Sequence, residues 1–433
     1  MEQAQSSVTR RRWTEGMGVE RLNHRARFGY RVRLTGGSAS PALLDGPRGR
    51  AHTPACDMAL ETRNTASTGR HARKDPAGSA HTSAAALVLS SALVGSGCFG
   101  APAHVGPVSE HFDGSSFHNV PRGGEPDFCD LVKWQLQGGA VVWPESQSAP
   151  VKVVPPARVE RGLRATQVGH ATVLVQLDGL AFLTDPVWSE RVGPVSFAGP
   201  RRYDPPAIEL DDLPRIDAVL ISHSHYDHCD APTLRELERR FAMPIYGGLG
   251  TRAMLEDLGI RGGVDLDWWQ AARLGSGATI HFVPVQHWSM RGLGDRNQVL
   301  WGGFQVRAQT GSFYFGGDTG YGDHFAETRA RLGAPDVAIL PIGAYLPRWF
   351  MAPMHMGPLE AVRAHLELGA ARSMGVHWGT FDQADEGRYQ AAGELGLALD
   401  ALRLPRAQFI AARPGDVLEW QPDARRTPGE PLR

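Results

Sequence analysis

The stretch HSHYDH at His223–His228 decides the fold and the chemistry expected of this chain. It follows the continuous apolar run DAVLIS at Asp217–Ser222, which is typical of a fully buried β-strand. A chain that leaves a strand here can direct its first two histidines to one metal ion, and its aspartate and last histidine to a second. Imidazole and carboxylate groups are ligands of Zn²⁺ and related divalent ions. The stretch therefore predicts a metal site at the end of this strand.

Three further candidate ligands follow other apolar runs. His287 comes shortly after the run TIHFVPV, Asp318 follows SFYFGG and His377 follows SMGV. Each is a weak signal on its own, because a polar residue after a strand is more often a turn residue. All three nevertheless occupy the same place relative to a predicted strand as His223 does. The sequence therefore predicts a dimetal site with seven ligands: His223, His225, Asp227, His228, His287, Asp318 and His377.

The apolar runs also predict a scaffold that brings these residues to one edge. Strand patterns arrive in clusters, with helical patterns between some of them, and a sandwich of two sheets with outer helices, an α+β fold, fits this order. The predicted strands are Ala171–Leu177, Leu180–Asp185, Asp217–His223, Thr279–Val285, Asn297–Val306, Ser312–Gly317, Asp336–Ile342 and Ser373–Val376, and the predicted helices are Pro232–Phe241 and Pro358–Leu368.

Composition narrows the classes of function. The formal net charge of the 433 residues is −1, so the chain has no general attraction to polyanions, and nucleic acid is not an expected partner. The four cysteines, irregularly spaced, exclude a disulfide framework and a CxxC-type metal site. Cys229 adjoins the predicted metal cluster, but the seven ligands already fill it, so we expect a small buried residue there.

Residues 1–98 differ in amino-acid composition from the rest of the chain. The first 50 residues hold ten arginines against four acidic residues and show no apolar periodicity, which predicts disorder. They are interpreted as an upstream extension before an alternative start at Met58, or else as a basic binding arm. The apolar segment Ala84–Gly95, followed by small residues up to Cys98, is similar to a bacterial lipoprotein signal peptide. We therefore expect a membrane-anchored protein of the bacterial cell envelope, with a cytoplasmic protein as the alternative.

The rest of the chain divides into three predicted parts. Residues 99–160, rich in Gly, Pro and Ser, are expected to form an arm packed on the main domain. Residues 161–420 are expected to form the main domain, which carries the predicted metal site, and residues 421–433 a tail.

The motifs together resemble the N-acylphosphatidylethanolamine-hydrolysing phospholipase D branch of the metallo-β-lactamase superfamily, over roughly Pro107 to Leu404. The resemblance implies a four-layer αββα sandwich. PIGAYLPRWFM and QHW are more specific than the metal ligands, since most superfamily members lack them. The resembling stretches are Val168–Pro186, Ser222–Asp230, Gln286–Gly292, Val299–Phe304, Phe315–Phe325, Pro341–Met351 and Val376–Phe381.

The resemblance also implies which residues bind each metal ion and which reaction they catalyse. Two zinc ions are implied, one held by His223, His225 and His287, the other by Asp227, His228 and His377, with Asp318 bridging both. The implied reaction is hydrolysis of a phosphodiester by a hydroxide held between the ions, giving phosphatidic acid and an N-acylethanolamine. Asp227 is a candidate to orient that hydroxide or take its proton.

Substrate contacts are predicted in the segment from Tyr345, the last residue of PIGAY, to His355. His355 is a candidate to donate a proton to the leaving oxygen or to bind phosphate, and a surface histidine is the alternative. Tyr345 and Arg348 are candidate phosphate contacts, or else fix the loop. Trp349, Phe350 and Met351 are candidates for a wall that binds acyl chains, with core packing as the alternative.

Three functions compete at this point. The first is a dizinc phospholipase D acting on N-acylated phospholipids at a membrane surface, in a chain compatible with a homodimer. The second keeps the metals but acts on lactones, β-lactams or other phosphodiesters, because fold does not fix function. The third is a non-catalytic envelope protein, against which the intact ligand set argues.

Overall fold

A computed structural model describes residues 17–20, 31–34, 100–145, 151–275 and 277–422 of the chain. The predicted leader, including the signal segment and Cys98, lies outside these residues except for two short strands. These strands, β1 (Met17–Glu20) and β2 (Arg31–Leu34), pair antiparallel with each other. Most of the predicted tail, residues 423–433, also lies outside the described part.

Two seven-stranded mixed sheets form the main domain. The first has the strand order β16-β3-β4-β5-β6-β7-β8 and the second β15-β14-β13-β12-β11-β10-β9. Their strands are β3 (Leu163–Gly169), β4 (Thr172–Leu177), β5 (Leu180–Thr184), β6 (Ala218–Leu220), β7 (Ile245–Gly248), β8 (Gly263–Leu266), β9 (Ala271–Leu274), β10 (Ala278–Val283), β11 (Gly303–Arg307), β12 (Ser312–Phe315), β13 (Val337–Pro341), β14 (Arg372–Val376), β15 (Phe409–Ala411) and β16 (Val417–Trp420).

Helices occupy the outer faces, which confirms the predicted αββα sandwich. Leu234 and Leu237 pack beneath the first sheet, and Val362 and Leu395 pack beneath the second. The helices are α1 (Phe128–Gln137), α2 (Ala231–Phe241), α3 (Thr251–Asp257), α4 (His324–Leu332), α5 (Arg348–Met351), α6 (Pro358–Leu368) and α7 (Gln390–Ala401), with 3₁₀ turns at Leu210–Asp212 and Arg406–Gln408. None of the described helices is long and apolar enough to cross a membrane.

The core between the sheets is aromatic and aliphatic. Phe182 of the first sheet meets Phe313 of the second edge to face, with ring centroids 5.6 Å apart. The predicted hairpin between β4 and β5 is confirmed, and its turn residues Asp178 and Gly179 have φ values of 48° and 81°. Positive φ at both positions is what a two-residue hairpin turn requires.

One predicted strand begins much later along the chain than the sequence pattern indicates. The run Asn297–Val306 becomes a strand only from Gly303, because the residues before it bond to loops instead of to a neighbouring strand. Asn297 has a φ of 58°, and the N–H of Gly302 donates to the carbonyl of Ser222, the residue before the HSHYDH stretch. This part of the chain therefore supports the loop that contains the HSHYDH stretch, called below the metal-binding loop.

Residues 100–145 lie within the predicted arm, and several of them contact the main domain. Phe112 and Phe117 form an isolated bridge and are buried in the core between the sheets. Helix α1, which the composition did not reveal, begins with a capping box at Asp127. Its Trp134 stacks on Phe350 with ring centroids 4.9 Å apart, so the arm packs against the segment predicted to contact substrate.

Candidate metal centre

All seven predicted ligands meet at one edge of the sandwich. The HSHYDH stretch follows β6, and His287, Asp318 and His377 follow β10, β12 and β14. The loops that follow these strands lie close together because the strand ends that carry them lie at the same edge of the sandwich. Six of the seven residues are buried, and His225 is partly exposed.

Two groups of side chains could each hold an ion. In the first, His223 Nε2 lies 2.8 Å from His225 Nδ1, and His287 Nε2 lies 3.4 Å from the same atom. In the second, ligand atoms of Asp227, His228 and His377 lie within 4.8 Å of one another, together with one of His170. These groups match the two sets that the resemblance implied.

Asp318 lies between the two groups. Its Oδ2 is 3.1 Å from Nε2 of both His228 and His377. It is also 3.9 Å from Nε2 of both His223 and His287. A carboxylate oxygen within 4 Å of both groups is in the position of a bridging ligand.

Unpaired polar atoms indicate that these groups fit metal ions. Among the described residues, Nε2 of His228 and His377 and Oδ1 of Asp318 are buried without a hydrogen-bond partner. Buried polar atoms are rarely left unpaired. Nitrogen and carboxylate donors are also the chemistry that zinc and related ions take. The residues therefore fit two divalent ions, one per group.

The protonation states of the first group agree with metal binding. Burial lowers the pKa of His223 and His287 well below the usual value, and the pKa of His225 to about 3. These rings are therefore neutral at pH 7, which is the form that binds metal. Burial alone would raise the pKa of Asp318, but the neighbouring His228 and His377 lower it well below the usual value. Asp318 is therefore a carboxylate.

Residues behind the ligands fix their orientation. The Nδ1–H of His228 donates to Asp185 at 2.6 Å, and Nδ1–H of His287 donates to the carbonyl of Met354 at 3.1 Å. Asp185 also accepts from the backbone N–H and hydroxyl of Ser222, at 2.7 and 2.6 Å. With Nδ1 engaged in this way, Nε2 of each ring is left to face the metal site.

Three residues of the site were missed by sequence reasoning. His170, in the turn between β3 and β4, approaches Asp227 Oδ2 with its Nε2 at 3.0 Å, and Gln383 donates to the same oxygen at 3.0 Å. Asp185 is the third. Two signals in the sequence could have indicated two of them: His170 lies inside a hairpin turn, and Asp185 comes directly after a strand.

The backbone of His170 supports a functional role. Its φ is 55°, which is uncommon for a residue with a side chain. Three hydrogen bonds hold it there: its N–H donates to Thr380, and its carbonyl accepts from Gln167 and His377. Strained residues held in this way cluster at functional sites. We infer that His170 positions Asp227.

We expect His170→Ala to weaken metal binding by Asp227 and its neighbours. Loss of a hydrogen-bonding partner behind a ligand typically lowers metal affinity about 10–100-fold. Zinc affinity should be measured by competition with a chromophoric chelator. His281→Ala on β10, a partly exposed histidine outside the cluster, is the control and should bind zinc as wild type does. Equal affinities for the two variants would refute the positioning role.

His355 lies beside the cluster. Its Nδ1 is 3.9 Å from Asp318 Oδ2, its ring centroid is 5.2 Å from that of His287, and its side chain is 12% exposed. Burial lowers the pKa of His355 to about 4. The ring is therefore neutral at pH 7, and it is close enough to the cluster to contact a bound phosphodiester.

Arg348 and Tyr345 are engaged within the protein. Arg348 forms a bidentate ion pair with Glu360, at 3.0 and 2.8 Å, and donates to the carbonyls of Tyr345 and His355. The ring of Tyr345 is buried in the core beneath the second sheet. These contacts match the alternative in which both residues fix the loop that carries His355.

The three candidate wall residues fall into two environments. Phe350 and Met351 are buried in a cluster with Trp134 of the arm, as core packing would require. Trp349 is 43% exposed and lies under the ammonium group of Lys133, 4.5 Å from the ring centroid. Of the three, Trp349 is therefore available to an acyl chain. Cys229 is fully buried in the core beneath the first sheet, as predicted.

Comparison with known proteins gives the same assignment of fold. Residues 181–378 match the Beta-lactamase superfamily domain. The chain is 40% identical over 272 residues to an N-acyl-phosphatidylethanolamine-hydrolyzing phospholipase D 1 of Caenorhabditis elegans, covering 60% of this chain and 76% of that protein. It is 41% identical over 262 residues to an uncharacterized protein of Mycobacterium tuberculosis, covering 58% and 68% of the two chains.

Among solved structures, an isothiocyanate hydrolase from Delia radicum gut bacteria superposes with a TM-score of 0.50 at 21% identity. The superposition covers 60% of this chain and 99% of that one. At this level of identity the likeness shows the fold alone.

Proposed function

Because the chain belongs to the N-acylphosphatidylethanolamine-hydrolysing phospholipase D-like branch of the metallo-β-lactamase superfamily, a group of metal-dependent hydrolases, we propose that it cleaves phospholipids of this kind. The proposed reaction is hydrolysis of the phosphodiester on the head-group side, at a membrane surface. Its products are phosphatidic acid and an N-acylethanolamine.

The observation that carries the proposal is the similarity to the nematode phospholipase, at 40% identity over 76% of its length. The metal centre supports it. Phosphodiester hydrolysis needs a nucleophile and stabilisation of charge on the phosphoryl oxygens, and a paired cluster of imidazoles and carboxylates suits both needs.

We propose zinc as the ion and two ions per chain. His223, His225 and His287 would hold one, and Asp227, His228 and His377 the other, with Asp318 shared. When bound there, two such ions would supply an acidified water molecule and positive charge for the phosphoryl oxygens. The mixture of imidazole and carboxylate ligands suits zinc better than magnesium or calcium.

The protein's own residues supply orientation and proton handling. Asp227 accepts hydrogen bonds from His170 and Gln383 on Oδ2, and these bonds fix the plane of its carboxylate. A carboxylate fixed in this way can accept a proton from an attacking water molecule. His355, neutral at pH 7, can donate an N–H hydrogen bond to the leaving oxygen of the ethanolamine.

Product analysis tests which bond is cleaved. The full chain should be incubated with N-palmitoyl-phosphatidylethanolamine in mixed micelles, and the lipids identified by mass spectrometry. Phosphatidic acid and N-palmitoylethanolamine in equal amounts are expected. Diacylglycerol or a lysophospholipid as the main product would contradict the assignment.

A further inference from the structure

A cleft of about 460 Å³ lies between the arm and the loop after β14. Trp134, Val141 and Val142 form its arm wall, and Tyr203, Asp382 and Gln383 belong to the opposite wall. Its volume falls within the range of about 300–1,000 Å³ that is typical of small-molecule sites. None of these residues was singled out by the sequence, and none belongs to the two metal groups.

The inner end of the cleft adjoins the metal centre. Trp143, Gln383 and Ala384 line the cleft and also line a smaller cavity whose wall includes His377. Gln383 donates to Asp227 at 3.0 Å. A substrate with its phosphoryl group at the metal centre would therefore have an adjoining group close to the cleft.

Aliphatic side chains line the solvent-exposed side of the cleft, whose lining as a whole mixes polar and apolar groups. Val142 is 72% exposed and Val141 is 49% exposed, and Leu136, next to the lining residue Gln135, is 78% exposed. When an apolar ligand covers exposed aliphatic side chains at the opening of a cleft, the burial of apolar surface favours binding. A fatty acyl chain meets this condition, while a short polar group does not.

The polar part of the cleft lining includes Arg191, Arg201 and Asp385, which are engaged within the protein, and one further acceptor and one further donor. Asp382 and the Tyr203 hydroxyl have no hydrogen-bond partner among the described residues, and both are partly buried. Burial raises the pKa of Asp382 to about 6, with Glu386 and Asp385 adding to the effect. Burial, with the charge of Asp382, also raises the pKa of Tyr203, so its phenol stays protonated and can donate. An amide presents the complementary pair, since its N–H donates and its carbonyl accepts.

We propose that this cleft binds the N-acyl group of the substrate, with the amide between Tyr203 and Asp382 and the acyl chain running outward along Val141 and Val142. The proposal rests on the proposed function and deepens it. It assigns recognition of the N-acyl chain to the arm and to the loop after β14.

Direct binding of the amide-containing product tests the proposal without relying on turnover. The zinc-loaded full chain should be titrated calorimetrically with N-lauroylethanolamine below its critical micelle concentration, and with N-acetylethanolamine. The lauroyl compound should bind at least ~100-fold more tightly, because each buried methylene contributes to affinity. Val142→Trp should narrow the cleft and weaken lauroyl binding about tenfold or more.

Val154→Trp is the matched control, because Val154 is 77% exposed and does not line the cleft. It should change lauroyl binding less than about twofold. Asp382→Asn should weaken both ligands by a similar factor, since it alters the amide contact and leaves the acyl wall intact. Equal affinity for the two ligands, or equal effects of the two tryptophan variants, would overturn the proposal.

The two proposals fail separately. If the chain cleaves no N-acylated phospholipid but shows the predicted binding pattern, the proposed reaction is wrong and the cleft remains an N-acyl site. If it cleaves the phospholipid without that binding pattern, the proposed reaction stands and the assignment of the cleft is wrong.

Discussion

Asp318→Asn is expected to abolish hydrolysis while leaving the protein folded. Asp318 Oδ2 lies 3.1 Å from Nε2 of His228 and His377 and within 4 Å of the first group. An amide has the same shape but no charge, so it cannot serve as a bridging anion between two cations. We expect a loss of at least about 10³-fold in kcat/KM, or roughly 4 kcal/mol of transition-state stabilisation. Steady-state kinetics and metal analysis should be performed on the same sample.

Asp323→Asn provides the matched control for this variant. It makes the same chemical change five residues later, at an exposed position before α4. Its activity and metal content should equal those of the wild type. Near-normal turnover in Asp318→Asn would remove the bridging role and the two-metal assignment with it.

Asp185→Ala is expected to lower both the free energy of unfolding and the affinity for metal. The carboxylate is fully buried and accepts from the backbone N–H and hydroxyl of Ser222 and from Nδ1 of His228. Removal leaves these three donors buried without an acceptor, at a cost of about 1–3 kcal/mol for each unsatisfied group. We expect the free energy of unfolding of the metal-free protein to fall by roughly 3–5 kcal/mol, measured by urea denaturation.

Asp211→Ala makes the same substitution at a surface carboxylate. Its side chain is 86% exposed and pairs with Arg240. Exposed ion pairs contribute little to stability, so this variant should unfold at nearly the wild-type urea concentration. An Asp185→Ala protein that is as stable as Asp211→Ala would show that Asp185 does not support the metal-binding loop.

The ligands could be predicted from the sequence because their positions depend on local patterns. HSHYDH, His287, Asp318 and His377 each follow an apolar run, and neighbouring strands place such ends together. His170 was missed because it approaches the same edge from a hairpin turn, with a backbone conformation that no composition pattern reveals. Its contact with Asp227 joins residues 57 positions apart.

The loop after β13 shows the limit of arguments from residue type. An arginine beside a phosphate-cleaving site suggests a phosphate contact. In the fold, Arg348 instead pairs with Glu360 and donates to two backbone carbonyls. This structural role depends on the position of Glu360 in the first turn of α6. The arm is a similar case, because α1 is a short helix in a segment rich in glycine and proline, and its burial depends on the main domain.

Turnover measured against zinc content tests the central proposal, a dizinc hydrolase of N-acylated phospholipids, most directly. The purified chain should be stripped of metal, reloaded in steps and assayed at each step for release of phosphatidic acid from N-palmitoyl-phosphatidylethanolamine. The expected result is no release without metal and a rise that saturates near two zinc equivalents per chain. Full activity in the metal-free protein, or faster opening of an N-acyl homoserine lactone than cleavage of the phospholipid by the two-zinc form, would contradict the proposal.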